Sequence, residues 1–373
     1  MSGGVIARQF LAAPAEGESW ASVAKACADR LTPLPTGANL GFLYVTDALA
    51  GDLGSILTFL RERTRIADWV GCVGLGVAAT GRDYFATPAI SVLVAALPPD
   101  AFRLFTPAAP ALEASDGWRE RVRPLIGIVH GDPRDEGIGA AVARLAHDAP
   151  LYLVGGLAAA SEAPVQVAGR VVEGGLSGVL LAPEIAVITG LSQGCSPIGP
   201  THRITEARGN TIAALDDRPA LQVFKADIGE ALARDLRRVA GLIFAGFPVT
   251  GSDTGDYLVR NLIAIDMKQQ SLGVAHEVAP GERVLFCRRD PTSATADLER
   301  MLRDLKRRAK SPPRAGLYFS CIARGPSLFA QPSQELAMIK DALGDFPLAG
   351  FFGNGEIAHD RIYGYTGVLA LFL

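Results

Sequence analysis

GLYFSCIARG at 316–325, SQELAMIKDAL at 333–343, PLAGFFGNGEI at 347–357 and TGVLALFL at 366–373 read, in that order, as an apolar strand, an amphipathic helix, an apolar strand entering a Gly-rich turn, and a last apolar strand. The same script occurs twice upstream. GFLYVTD at 41–47 precedes a helical window around Leu53–Arg63, then WVGCVGLG at 69–76 and AISVLVAAL at 89–97. LIGIVHGD at 125–132 precedes GIGAAVARLAH at 137–147, then LYLVGGLA at 151–158 and LSGVLLA at 176–182. The last strand opens 48, 51 and 50 residues after the first (41 to 89, 125 to 176, 316 to 366), so the likeness is one of supersecondary order. The expected class is α/β (α+β), with duplicated β-α-β-β units forming two packed sheets and helices on the outer faces. Offsets of 84 (41 to 125) and 191 (125 to 316) residues between copies exclude a regular solenoid and leave room for a diverged fourth copy.

The long interval holds EIAVITGLSQGCSPIGPTHRITEARGNTIAALDDRPALQVF at 184–224, which reads as strand, sharp turn and strand, with a helix expected around Ile228–Val239. YLVRNLIAIDMKQQSLGVAHEVAPGERVLFCRRD at 257–290 reads again as strand, turn and strand, with Pro280–Gly281 turning the chain. In ADLERMLRDLKRRAK, Leu298, Met301, Leu302 and Leu305 form one apolar stripe. The basic residues Arg300, Arg303, Lys306, Arg307, Arg308 and Lys310 then read as its solvated face.

Composition narrows the function classes. The 373 residues carry 36 basic and 39 acidic side chains, a net charge of −3, and are 49% apolar, which excludes a disordered chain and gives no footprint for nucleic acid or an anionic membrane. Five widely spaced cysteines without a CxxC pair suggest neither disulfides nor zinc and fit a cytoplasmic location. The opening MSGGVIARQFLAAPAEGESW is broken by Pro14 and Glu16, unlike a secretory leader. No apolar run reaches the ~18 residues of a membrane span. The histidines are scattered, and no Gly-rich turn has the GxGxxG or P-loop form, so no metal or cofactor is expected.

Several residues carry chemistry. GLSQG at 190–194 has the G-x-S-x-G pattern of a hydrolase elbow, but Pro197 and Pro200 oppose the helix that Ser192 would have to open. Cys195 lies near His202 and Arg203, and Cys321 lies three residues before Arg324, so a positive charge could favour either thiolate. His130, beside Asp132, suits turn capping better than catalysis. In THRITEARGN, alternation sets His202, Ile204, Glu206 and Arg208 on one face and Arg203 and Thr205 on the other. A buried Arg here asks for an anion: Glu356, Asp216 or a ligand carboxylate. Structural salt bridging and ligand contact both stay open.

GLSQGCSPIGPTHRITEARGNTIAALDDRPAL, FSCIARGPSLF and GFFGNGEIAH together resemble the FIST family, which pairs an N-terminal domain, here 35–215, with a C-terminal domain, here 220–373. The matching positions are Gly194, Cys195, Ser196, Pro197, Gly199, Thr205, Gly209 and Asn210, then Cys321, Arg324, Gly325, Gly350, Gly355 and Glu356. The resemblance implies an intracellular sensory module for a small ligand such as an amino acid or related carboxylate. The sequence is read as leaving no room for a kinase, cyclase, methyl-accepting or F-box region, so output is expected to be conformational or to run through a separate signalling protein. Ligand contacts are assigned from chemistry: Arg203, Arg208 or Arg324 to grip a carboxylate, Glu356 and Asn354 to meet an ammonium or hydroxyl, with Cys195, Ser196, His202, Thr205, Asn210 and Cys321 completing the set. Two other classes compete, an enzyme using Cys195 or Cys321 as nucleophile and a protein-interaction scaffold.

Overall fold

Two neighbouring strands that run parallel need a crossover, and in each copy the amphipathic helix supplies it. The computed structural model describes residues 9–108, 117–251 and 255–373; residues 1–8, the start of the segment read for a leader, lie outside the described residues. Leu40–Thr46 pairs parallel with Asp68–Gly74, Ile126–Gly131 with Tyr152–Leu157, and Ala315–Cys321 with Leu348–Gly353. The crossovers are the helices Leu53–Thr64, Ile138–Asp148 and Gln334–Leu343. In the first, Leu53, Ile56, Leu57 and Leu60 are buried, one stripe at helical spacing against Leu43, Val45 and Val73 of the sheet. The third strands, Ala89–Ala95, Leu176–Leu181 and Thr366–Phe372, return antiparallel to the first.

The copies are not independent. The hairpin strand Gly76–Ala79 of the first copy pairs with Leu348–Gly353 of the third. Gln166–Ala168 of the second pairs with Asp68–Gly74 of the first, and Glu356–His359 of the third pairs with Tyr152–Leu157 of the second. Each copy thus completes the sheet of another in a closed cycle, and no copy alone can satisfy the edge of its second strand. Three glycines let the parallel strands within each copy approach closely. A Cβ at Gly71, Gly155 or Gly350 would lie 1.8 Å from the carbonyl oxygen of Leu43, Val129 or Tyr318, at equivalent rungs of the three parallel pairs.

One residue further along the first strands stand Tyr44, His130 and Phe319, all buried. Their rings meet with centroids 5.6 to 6.4 Å apart, and Phe351 stacks on Tyr44 at 5.3 Å. Each sheet therefore turns one face to its helix and the other to the remaining copies.

The chain divides into two compact units. The first gathers residues up to Ser192, Leu298–Ile362 and Thr366–Leu373; the second holds Gln193–Asp297 and Tyr363–Tyr365. Four sheets occur among the described residues where two were expected, because each copy has its own ladder and the inserted segment forms a fourth. That segment is not a fourth copy: its described pairings are antiparallel, and the ring closes where Ile243–Pro248 meets Arg283–Arg289. The region 257–290 holds three strands, Tyr257–Asp266, Ser271–Val274 and Arg283–Arg289, rather than two. Its main helix spans Ala220–Ile228, earlier than expected, and stops at Gly229 with φ +79°. This helix packs Leu221 and Phe224 into the ring's core with Ile204, Leu215 and Phe286. No helix among the described residues is long and apolar enough to cross a membrane.

Candidate functional site

In the first unit, the strand Ala315–Cys321 delivers its chain into a turn at Arg324 and Gly325, where Gly325 has φ +51°. Arg324 and Glu335 are wholly buried and paired, with Arg324 Nε donating to Glu335 Oε1 at 2.7 Å. Glu335 is filled on both oxygens: the Tyr318 hydroxyl donates to Oε1 at 2.7 Å, and the Ser320 hydroxyl and Gly325 N donate to Oε2 at 3.2 Å. Arg324 Nη2 reaches the Ser192 hydroxyl at 3.4 Å, and the guanidinium lies over Phe329. Arg324 Nη1 has no hydrogen-bond partner. Burial opposes the Arg324 charge, but Glu335, Tyr318 and Glu356 outweigh it and raise its pKa.

Glu356 opens the hairpin strand opposite Gly156 and is also buried. Thr366 N and the Thr366 hydroxyl donate to its Oε2 at 3.2 and 2.7 Å, while Oε1 has no partner. Burial pushes its carboxyl pKa up to about 8, against the lowering effects of Thr366 and Arg324. A cation and a carboxyl group thus stand within electrostatic reach of one another, each with one atom unspent. Cys321 is buried at the end of the strand that leads to Arg324, and Asn354, two residues before Glu356, is exposed.

The second unit collects the remaining candidates. His202 is held between two carboxylates, Nδ1 at 2.7 Å from Asp216 and Nε2 at 2.8 Å from Asp227. Burial lowers its pKa, but the two aspartates outweigh this and raise it. Asp216 and Asp217 are both left-handed (φ +49° and +60°), forming the two-residue turn between Thr211–Leu215 and Arg218–Pro219. Gly199 makes room for Asp227, whose carboxyl carbon a Cβ there would meet at 2.6 Å. Cys195 packs with Cys287, Phe244, Tyr257 and Leu285, and its carbonyl accepts the Tyr257 hydroxyl at 2.5 Å. Ser196 Oγ donates to Asp290 at 3.0 Å. Arg203, Arg208 and Asn210 are exposed, and the Thr205 hydroxyl accepts Asp217 N.

The first unit therefore brings Cys321, Arg324 and Glu356 into one region, and the second holds Cys195, Ser196, His202, Arg203, Thr205, Arg208 and Asn210. Both His202 nitrogens are engaged by carboxylates, which leaves neither for a thiol. Ser192 lies within the strand Val187–Gln193 and opens no helix. Glu335, Tyr318 and Thr366 were not singled out from the sequence, and Ser192 was weighed only as an elbow serine, not as a neighbour of Arg324. Glu335 had a signal: it falls four residues before Ile339, on the buried stripe of its helix. No group of three or more His, Cys, Asp or Glu among the described residues could hold a metal ion.

The cyclic three-copy sheet assembly, and the ring formed by the chain between its second and third copies, define a two-part α/β protein with buried polar chemistry at a strand end. Residues 39–218 match the FIST N domain and 220–359 the FIST C domain, and the chain belongs to the FIST family. Domains of this family are sensory, small-ligand-binding modules of signal transduction. Uncharacterised proteins of two Mycobacterium tuberculosis strains, CDC 1551 / Oshkosh and H37Rv, are 30% identical to it over 355 residues, covering 88% of this chain and 92% of each relative. An uncharacterised Mycobacterium bovis protein is 32% identical over 212 residues, 54% of either chain.

Proposed function

We propose that the protein is a sensor that binds a small polar ligand, an amino acid or related carboxylate, at Arg324 and Glu356 in the first unit. The observation that carries this reading is the pair of unspent buried atoms, Arg324 Nη1 and Glu356 Oε1. A buried donor or acceptor without a partner costs ~1–3 kcal/mol, so two in one cluster are a standing incentive to bind a molecule that satisfies both. Arg324 supplies the planar donor that a carboxylate takes, and Glu356 supplies the partner for an ammonium or hydroxyl. The cluster sits at the carboxyl ends of a parallel strand pair, where open α/β sheets commonly receive ligands. Asn354, two residues before Glu356 in the turn, is exposed and polar.

A thermal-shift screen against amino acids and short carboxylates tests the reading. A true ligand at 100 times its Kd stabilises by ~2.7 kcal/mol. Arg324→Lys keeps the charge but loses the fork, and it should abolish the shift. If no compound stabilises the protein, the reading fails.

A further inference from the structure

The copies place three residues at one equivalent rung of their exchanged hairpins: Gln166 opposite Cys72, Glu356 opposite Gly156, and Val77 opposite Phe351. The fold accepts a neutral amide and an apolar side chain at this rung, so packing alone does not call for a carboxyl group. Gln166 is fully bonded, its amide donating to the carbonyls of Gly174 and Gly175 and its oxygen accepting the Ser177 hydroxyl. Glu356 is left with a free oxygen.

The charges around Glu356 can be counted element by element. The strand Thr366–Phe372 gives it Thr366, which is neutral. The turn after Ala315–Cys321 gives Arg324, and the helix Gln334–Leu343 gives Glu335, and these two are committed to each other at 2.7 Å. On the strand Ile126–Gly131, His130 shares the rung with Gly156 and Glu356, and burial holds it neutral down to about pH 3. Tyr318 on Ala315–Cys321 and Tyr44 beside His130 are buried phenols whose pKa burial raises, so they bring no charge. One cation therefore faces two carboxyl groups. Among the described residues the second negative charge has no counter-ion of its own, and a buried carboxyl in that position keeps its proton.

We infer that recognition at this site is proton-coupled: a ligand's ammonium group takes up Glu356 Oε1 and displaces its proton to solvent, so the site selects ammonium-bearing molecules over plain carboxylates. This rests on the ligand reading above and adds the class of group that Glu356 recognises. The balance is one ammonium cation bound and one proton released, with no bond made or broken in the ligand. Oε2, fixed by two Thr366 contacts, stays in place, and Arg324 Nη1 takes the ligand's acceptor oxygen.

The experiment is isothermal titration calorimetry of the full chain at pH 7 with L-alanine, ethylamine and propionate, each in phosphate and in Tris. Binding of L-alanine or ethylamine should release about one proton per molecule, seen as a buffer-dependent enthalpy. Glu356→Gln, which the Gln166 position shows to be compatible with the rung, should remove the proton release and weaken ethylamine at least tenfold. Ammonium probes that bind without proton release overturn this inference and leave the ligand reading standing, as does propionate binding more tightly than L-alanine. If all three probes fail to bind, both fall together.

Discussion

Gln166 and Glu356 occupy the same rung in two copies of one hairpin, opposite Cys72 and Gly156, yet only Gln166 has every polar side-chain atom bonded. The comparison is internal to the molecule, so it separates what the rung demands from what this side chain adds. A carboxyl group there carries a stability cost that depends on protonation. The folded pKa of about 8 lies above the ~4.3 of an unfolded Glu, so between these values the folded chain holds a proton that the unfolded chain has lost. Stability should therefore fall as pH rises from about 4.5 through about 8, by up to roughly 5 kcal/mol, and level off above. Denaturant unfolding of wild type and Glu356→Gln from pH 5 to 9 checks this: the variant should show a shallower fall and be the more stable at pH 9. A variant curve parallel to wild type would refute it.

The glycines at the parallel rungs give a steric prediction. Gly71→Ala, Gly155→Ala or Gly350→Ala each drives a methyl to 1.8 Å from a neighbouring carbonyl oxygen, a contact that only separation of the two strands relieves. Overpacking commonly costs ~1–3 kcal/mol, and a clash with backbone inside a shared ladder belongs above that range. Each variant should be insoluble or lose more than ~3 kcal/mol by urea unfolding. Gly54→Ala, in the crossover helix Leu53–Thr64 with only Val171 at 4.0 Å, should instead gain ~0.5–1 kcal/mol. Equal effects at the two kinds of site would contradict the close-approach account.

Much of this architecture was legible because it is periodic. The three strand–helix–strand–strand copies follow from apolar runs and spacing, and Leu298, Met301, Leu302 and Leu305 are buried as their stripe requires. The exchange of hairpins was not legible, since Gly76–Ala79 carries no mark of which sheet's edge it will meet. Nor was the ring, whose strands pair by register across the inserted segment rather than by repeated order. Among candidate residues, Arg324 and Glu356 stood out as charges within apolar signatures, but their environment depends on Glu335, Thr366 and Ser192, which come from other parts of the chain. Arg203 and Arg208 show the converse: strict alternation sets them on opposite faces, but the register shifts between Ile204 and Ala207, so Ala207 packs on the core with Ile204 and both arginines are exposed.

His202 couples three parts of the second unit through its two ring nitrogens: its own strand, the Asp216 turn and the end of the helix Ala220–Ile228. Both contacts are strongest when the ring is protonated, and the aspartates raise its folded pKa above 6.5. The contribution should thus be fully present below pH 6.5 and be lost as pH rises through the raised value. His202→Asn should cost ~1–3 kcal/mol at pH 6 and progressively less at higher pH. Proton NMR titration of the His202 ring, assigned by its loss in that variant, reads the pKa directly, and a midpoint below 6.5 would contradict the two-carboxylate account.

The thiols distinguish a ligand sensor from a cysteine-dependent enzyme. All five cysteines are free and buried, and Cys287 is pushed further from ionisation by the neighbouring Cys195 and by burial. A nucleophilic cysteine needs an accessible thiolate and a base within reach, and the histidine nearest in sequence to Cys195 is held by Asp216 and Asp227. Labelling with a chromogenic disulfide at pH 7 should therefore be slow for every thiol of the native chain and rapid for all five in denaturant. Raising the pH toward 9 should accelerate the native reaction only as far as opening of the structure permits, since access rather than ionisation limits it. One thiol reacting fast at pH 7, with a rate that titrates well below the free-thiol value of ~8.5 and is lost in Cys195→Ser or Cys321→Ser, would favour the enzyme instead.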